Sequence, residues 1–375
     1  MGMPDHPDAV IYHYGKFPPV NLDYERLIDP LVETAASLTR YDQMLATMHN
    51  SEILLAPLRQ QEAVVSSRME GTISTLDEIL KIEAEEDAGD ELAFSKARSE
   101  AVETLLYARA MRRVQGQMEQ GQPLSEFMIR SAHQMLLSYG RGAALSPGAY
   151  KTEQNYIGEK RRKAVSFVPI SPENLGSGME NWIAFIRNGK MTPLLKTAIS
   201  HVEFEALHPF KDGNGRLGRM MISLLLWQYR LIRAPHFFVS AYFEEMRDDY
   251  IDLMRRVSSD DDWTEWCVFF LNGLNEQAIR NIETARKIFA LYEEMKMRFR
   301  EALNSQWAID ALDFIFANPI FRNNRFTSTA GIPGHVAMRM TRLLRDADLL
   351  IQVAPASGRR PAMYSFEPLL KIVRG

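Results

Sequence analysis

Between His208 and Arg219 the chain reads His-Pro-Phe-Lys-Asp-Gly-Asn-Gly-Arg-Leu-Gly-Arg. These residue types have the parts needed to hold a polyphosphate and to deprotonate an attacking hydroxyl. An imidazole such as His208 titrates near neutrality and serves as a general base. Asp212 offers a carboxylate to Mg²⁺, which takes one or two carboxylates beside phosphate oxygens. Gly213 and Gly215 free the backbone for positive φ and let a ligand approach the amides closely. Arg216 and Arg219, three apart, share one helix face. Cations in a first helical turn oppose the helix dipole, so their placement implies a bound anion.

The flanking segments must position this string. From Pro193 to Leu207 the apolar residues Leu194, Leu195, Ala198, Ile199, Val202 and Ala206 follow the spacing of a helix. A second helix is predicted from about Asn214 to Tyr229, with Met220 to Trp227 apolar enough to be buried. Asp212-Gly213-Asn214-Gly215 between them is a turn composition. His208 then ends the first helix, and the free N–H groups opening the second face a ligand, as anion-binding helix N-termini do. A zinc hydrolase or deaminase is the rival reading of His201, Glu203 and His208. It needs three or four ligands, or a Pro-Cys-x-x-Cys partner. The single cysteine, Cys267, sits among Trp266, Val268 and Phe269 and reads as a core residue. His201 reads as a packed or surface helix histidine.

At every fixed position the string matches His-x-Phe-x-Asp/Glu-Gly-Asn-Gly-Arg-x-x-Arg, and the chain resembles the Fic family of nucleotidyltransferases. The resemblance implies a mainly α fold, a Fic-type helical core with a β-hairpin flap. It implies ATP as substrate, Mg²⁺ on Asp212, and AMP transfer to a Ser, Thr or Tyr hydroxyl of a target protein, with His208 as the base. Gly213, Asn214 and Gly215 then form the anion hole. Arg216 reaches the β-phosphate and Arg219 the γ-phosphate, and Leu217 and Gly218 complete the nucleotide-binding stretch. Phe210 anchors the loop in the core. Doc-type kinases of the same superfamily carry lysine at the position of Gly215, so glycine favours AMP over phosphate transfer. Adenine is expected downstream among Tyr242, Phe243 and Tyr250, residues that core packing would explain equally well. CMP or phosphate transfer stays open, because that pocket sets base selectivity.

Two upstream stretches extend the resemblance. Gln61 to Gly71 reads as a helix ended by glycine, with Ser66 and Glu70 four apart on one face. It is similar to the inhibitory helix Ser/Thr-x-x-x-Glu-Gly/Asn, which implies that Glu70 pairs with Arg219 and displaces the γ-phosphate. In that family the same glutamate can also assist AMP removal. Asn155, Tyr156 and Ile157, then Val165, Phe167 and Val168, read as two strands flanking the polar stretch Glu159 to Lys163. This is either an ordinary surface hairpin or the flap that docks a target segment by strand addition. The basic run Lys160 to Lys163 reads as a solvated tip.

The 375 residues suggest two or three domains, and 46% hydrophobic with 25% charged content is ordinary for a globular chain. A net charge of −4 gives no global nucleic-acid signature, and one cysteine excludes an intrachain disulfide framework. No run approaches a membrane span and no secretory signal pattern opens the chain, so a cytoplasmic enzyme without membrane contact is expected. The expected organisation is an extended segment at 1–22, a helical domain at 23–115 with the inhibitory motif, a catalytic core at 116–275 with its flap at about 155–169, a charged connector helix at 276–303, and a terminal module at 304–375. In that module, predicted helices at Trp307 to Ala317, Thr327 to Gly331 and Gly334 to Arg345 precede strands at Leu349 to Val353 and Ala362 to Phe366. The order resembles a winged helix–turn–helix. Arg339, Arg342, Arg345, Arg359 and Arg360 could meet DNA phosphates, or the module could dock a protein or a second copy in a homodimer. A nucleotide-sensing regulator with a weakly active core is the alternative to the enzyme.

Overall fold

The computed structural model describes residues 6, 8–48, 50–87, 89, 92–159, 164–358 and 360–375. The basic run at 160–163 and Arg359 lie outside them. In chain order the elements begin with β1 (Val10–Ile11), α1 (Tyr24–Thr47), α2 (Ser51–Met69), α3 (Leu76–Asp87), α4 (Ala93–Lys96), α5 (Ser99–Glu119) and α6 (Glu126–Leu136). There follow β2 (Ile157–Glu159), β3 (Ala164–Val168), α7 (Pro172–Asn188), α8 (Pro193–Leu207), α9 (Asn214–Gln228), α10 (Ser240–Glu245), α11 (Arg247–Asp260) and α12 (Trp263–Leu303). The chain closes with α13 (Ala308–Ala317), β4 (Ile320–Arg322), α14 (Asn323–Thr329), α15 (Gly334–Asp346), β5 (Ile351–Ala354), β6 (Met363–Ser365) and α16 (Glu367–Arg374). The fold is mainly α. It divides into two units, Met1–Asp42 with Arg109–Ile279, and Gln43–Ala108 with Arg280–Gly375.

The first unit is built around α8 and α9, which pack on each other. From Leu194 to Leu207 every residue of α8 except Glu205 is buried, the polar Lys196, Thr197, Ser200, His201 and Glu203 included, so the helix is enclosed on all sides. Proline at the first position of α7 and of α8 presets φ where no intrahelical N–H bond is lost. Trp182 of α7 and Trp266 of α12 each donate an indole N–H to α8, at Ser200 O and Ala198 O, both at 2.8 Å. Two flat side chains thereby brace the helix that ends at His208.

The extended N-terminal segment turns out to be structural. β1 lies parallel to β3, with Val10 opposite Phe167 and Ile11 opposite Val168. β2 pairs antiparallel on the other side of β3, so the strand order is β1-β3-β2. The expected two-stranded hairpin is therefore a three-stranded sheet. Just past β1 the chain is pinned to α8. Tyr12 Oη donates to Glu203 Oε1 at 2.7 Å, and His13 Nε2 meets Glu203 Oε2 at 2.7 Å. His13 Nδ1 lies 2.7 Å from Ser258 Oγ on α11. Both oxygens of a fully buried carboxylate are thus satisfied, without which its burial would be strongly unfavourable. Burial and the neighbouring Glu203 push the Tyr12 hydroxyl's pKa upward, so it remains a donor.

In the second unit α2 packs against α13 and α16, and α3 against β4. A reading along the chain does not show that residues 43–108 and 280–375 share a core. The terminal sheet is antiparallel with order β4-β6-β5. Arg322, buried, pairs with Glu85, and Arg374 forks onto Asp77 at 2.7 and 2.9 Å. The predicted helix at Gly334 to Arg345 and both strands predicted after it are present within a few residues. The short helix expected at Thr327 to Gly331 instead starts at Asn323, because the Asn323 N–H is tied to Ala362 O at 2.9 Å and sets the entry. β4 and α16 carry too few residues to show a period and were not expected from sequence.

Candidate active site

The site sits where α8 stops. His208 closes that helix in the left-handed region, at φ 45° and ψ 60°, its N–H still bonded to Phe204 O at 3.0 Å. A residue with a Cβ adopts this conformation at a cost of about 1–2 kcal/mol, so something must hold it. Four consecutive carbonyls, from the last residue of the helix onward, are claimed by residues 151 and 155. Lys151 Nζ donates to Leu207 O at 3.0 Å, and the Lys151 N–H donates to Pro209 O at 2.9 Å. The Asn155 amide donates to His208 O at 3.2 Å and to Phe210 O at 3.1 Å. Lys151 Nζ also donates to Asn155 Oδ1 at 2.8 Å, joining the two. Lys151 is buried, and burial lowers its pKa to about 7.

His208 Nδ1 lies 3.3 Å from Glu205 O. A carbonyl can only accept, so Nδ1 is the donor in this contact, and in a neutral ring Nε2 is then the nitrogen that can take up a proton.

The loop is latched from inside. Asn214 Oδ1 accepts the Phe210 N–H at 2.9 Å and its Nδ2 donates to Phe210 O at 2.8 Å. The Asn214 side chain is thus spent on the loop backbone, and only its main-chain N–H is left to face a ligand. Phe210 is fully buried and stacks on His133, centroids 3.8 Å apart at 11°. His133 Nδ1 accepts the Gly148 N–H at 2.7 Å, and Nε2 donates to Asp212 O at 2.9 Å. Burial lowers its pKa to about 4, so it holds the turn as a neutral ring. Gly213 takes φ 79° and would press an added Cβ to 3.3 Å from Leu136.

From Asn214 the chain enters α9, whose first N–H groups have no intrahelical partner. Arg216 and Arg219 follow on the buried first turns. Asp212 Oδ1 accepts the Gly213 N–H at 2.7 Å and stands 3.9 Å from Arg216 Nη2. Its Oδ2 has no partner among the described residues, which suits one carboxylate contact to Mg²⁺. No cluster of three or more His, Cys, Asp or Glu able to cage a metal is found among the described residues. Leu217 is buried, and Gly218 passes under α8, where an added Cβ would fall 2.1 Å from Glu205 Oε1. Both serve helix packing here.

The adenine candidates lie in an aromatic cluster. Tyr250 Oη is 2.7 Å from His201 Nε2 and its ring stacks on Phe243 at 4.7 Å. Tyr242 packs over Gly273, where an added Cβ would come 2.5 Å from the ring. All three candidates are buried. His201 is a packed histidine, its pKa lowered to about 3 by burial and by Arg219. Of the flap residues, Phe167 and Val168 are buried in the middle strand, Val165 pairs with Gly158, and Tyr156 is exposed against the His6 ring at 5.1 Å. Asn155 precedes the strand. The sequence reading missed His133 and Lys151. His133 shares the buried face of α6 with Met128, Ile129, Ala132 and Leu136, and a polar residue in such a core position is a readable signal. Lys151 has no periodic context to betray it.

Two sequence models of the Fic/DOC family match this chain, one over residues 123–226 and the family's N-terminal model over 28–115. Together they take in just over half of it. The chain belongs to the Fic/DOC family. Similar to it are the protein adenylyltransferase fic-1 of Caenorhabditis briggsae, 30% identical over 101 residues, and the protein adenylyltransferase Fic of Drosophila virilis, 26% identical over 212. The first match covers 26% of this chain and 18% of that protein, the second 55% and 39%. The chain therefore spans well under half the length of these relatives. Among solved structures, a Fic family protein from Desulfovibrio desulfuricans G20 superimposes with a TM-score of 0.58 at 19% identity, covering 93% of this chain and 98% of that one. A Fic domain containing signaling protein from Bacteroides thetaiotaomicron gives 0.51 at 18%, covering 68% and 97%. These likenesses establish the Fic fold.

The family's N-terminal model includes the second sequence motif. α2 runs to Met69, Glu70 is its C-cap, and Gly71 takes φ 81°. Gly71 N–H donates to Arg68 O at 2.9 Å and Thr72 N–H to Ser67 O at 3.1 Å, closing the helix on its own backbone. Ser66 is buried. Among the described residues no helix is long and apolar enough to cross a membrane.

Proposed function

We propose that this protein is an adenylyltransferase that moves AMP from ATP to a Ser, Thr or Tyr hydroxyl of a target protein, and to itself. The observation that carries this reading is the succession, on one turn, of a histidine at the end of α8, an aspartate, and the N-terminus of α9 with two arginines on its first turns. The triphosphate lies along the first amides of α9, with Arg216 and Arg219 on its β- and γ-phosphates. His208 Nε2 takes the proton from the acceptor hydroxyl. The resulting oxygen attacks the α-phosphorus, the bond to the β-phosphate bridging oxygen breaks, and pyrophosphate leaves. Asp212 would hold Mg²⁺, which when bound neutralises charge on the phosphates. A target segment docks on the flap by strand addition. The names of the similar proteins support the reaction class.

Control is assigned to Glu70. In this reading its carboxylate pairs with Arg219 in a bidentate contact and displaces the γ-phosphate, leaving the α-phosphate out of line. The test is intact-mass analysis after incubation with ATP and Mg²⁺. Glu70→Gly should gain adenylyl groups faster than the wild type, and adding His208→Ala should abolish the gain. Equal masses in all three proteins would overturn both assignments. Release of AMP from an adenylylated target by the wild type alone would identify a bifunctional enzyme.

A second reading concerns the terminal module. Arg339, Arg342 and Arg345 are all exposed on α15, and the strand–helix–helix–strand–strand order resembles that of a winged helix. We infer a duplex-DNA contact there. Retention on a duplex should weaken steeply with salt and with Arg339→Ala plus Arg342→Ala. Concentration-dependent sedimentation without retention would instead favour a second copy as the partner.

A further inference from the structure

The catalytic loop is held by a pair of residues that the signature string does not contain. We propose that Lys151 and Asn155 are positioning residues that lock His208 in its left-handed backbone, aiming Nε2 at the acceptor hydroxyl. The proposal rests on the transferase reading of the site and deepens it.

The argument is one of donors and acceptors. Once α8 ends, the carbonyls of Leu207, His208, Pro209 and Phe210 have lost any helical partner. All four accept from residues 151 and 155: one Nζ bond, one main-chain N–H and a shared side-chain amide. A strained φ persists only where its surroundings over-determine it, and here each peptide on both sides of His208 is fixed. The pair is itself cross-braced, since Asn155 Oδ1 accepts from Lys151 Nζ. A neutral amine keeps two N–H donors for its two side-chain acceptors, Leu207 O and Asn155 Oδ1, so the clamp works whether or not Lys151 is charged. Gln154 adds a tie to the flap, its Nε2 donating at 3.0 Å both to Asn155 O and to Pro169 O just beyond β3. The two ends of the flap and the base loop therefore share one hydrogen-bonded frame. The phosphate side is held by Asn214 and His133, and shares with the clamp only the Phe210 carbonyl, which Asn214 still holds when Asn155 is changed. Loss of the clamp should thus disturb the base and spare the nucleotide.

The experiment uses the full chain carrying Glu70→Gly, with Lys151→Met and Asn155→Asp as added changes. Turnover should fall about 10²-fold, the scale expected of a displaced reacting group, while the ATP dissociation constant from calorimetry stays within twofold. Turnover within threefold of the parent would overturn the proposal. So would ATP affinity and turnover falling in step, the mark of a loop merely unfolded. A parent that transfers no AMP would sink the transferase reading without deciding the clamp. The carbon chemical shifts of His208 decide that case: left-handed values in the parent that relax in Lys151→Met sustain the clamp, and unchanged values reject it.

Discussion

Two helix ends in this protein reverse through the same left-handed region with opposite residues. α2 does so at Gly71, φ 81°, and its last carbonyls are closed by the N–H groups that follow. α8 does so at His208, φ 45°, and its last carbonyls are closed by side chains from a distant segment. In the first case the chemically interesting residue, Glu70, stands just before the turn and glycine absorbs the conformation. In the second the turning residue must itself carry the imidazole, so the strain cannot be delegated. The cost is met by the neighbours instead. A helix end that turns on glycine can be closed locally, whereas one that turns on a residue with a side chain is held here by a distant segment.

This contrast is open to attack at several strengths. The largest effect belongs to the base. In a Glu70→Gly background, His208→Ala should lower AMP transfer by about 10²–10⁴-fold with ATP still bound, read by intact mass and calorimetry. Next is the inner latch. Asn214→Ala strips the Phe210 N–H and carbonyl of a buried partner and should lower unfolding stability by about 1–3 kcal/mol, read from urea midpoints. The two turns should then respond with opposite sign. Gly71→Ala meets no neighbouring atom within 4 Å, so its loss of about 1–2 kcal/mol would be backbone strain alone. At the other turn His208→Gly should be more stable than His208→Ala by about 1 kcal/mol. If glycine gains nothing at position 208, the strain argument is wrong. The smallest effect is in pH. Burial depresses the Lys151 pKa to about 7, below the usual lysine value, so the unfolded chain binds more protons above that pH. Stability should therefore rise with pH, by at most about 1 kcal/mol from this group between pH 7 and 8, and Lys151→Met should remove that increment.

α8 and α9 were legible because they are long, carry apolar residues at helical spacing and are separated by an unmistakable turn. Their predicted and observed limits agree to within a residue. The roles inside the string were less legible. Asn214 is spent on the loop backbone, and Gly218 serves the close approach of α8 and α9, because spacing alone does not tell which way a side chain is committed. Asn155 reads as a strand residue by its neighbours, yet its amide lies under the loop. β1 was hidden because two residues, Val10 and Ile11, leave no pattern, and its pairing with β3 bridges more than 150 positions of sequence. Nor could the sharing of one core by 43–108 and 280–375 be read locally, since it depends on α2 meeting α13 and α16.

With β1 on one flank of β3 and β2 on the other, both sides of the middle strand are already paired, so any added strand would have to lie outside β1 or outside β2. A protease that trimmed the first dozen residues would bare one side of β3 and, in the same cut, strip Glu203 of its Tyr12 hydroxyl. The central strand of that sheet and the buried carboxylate of α8 thus depend on the same short segment.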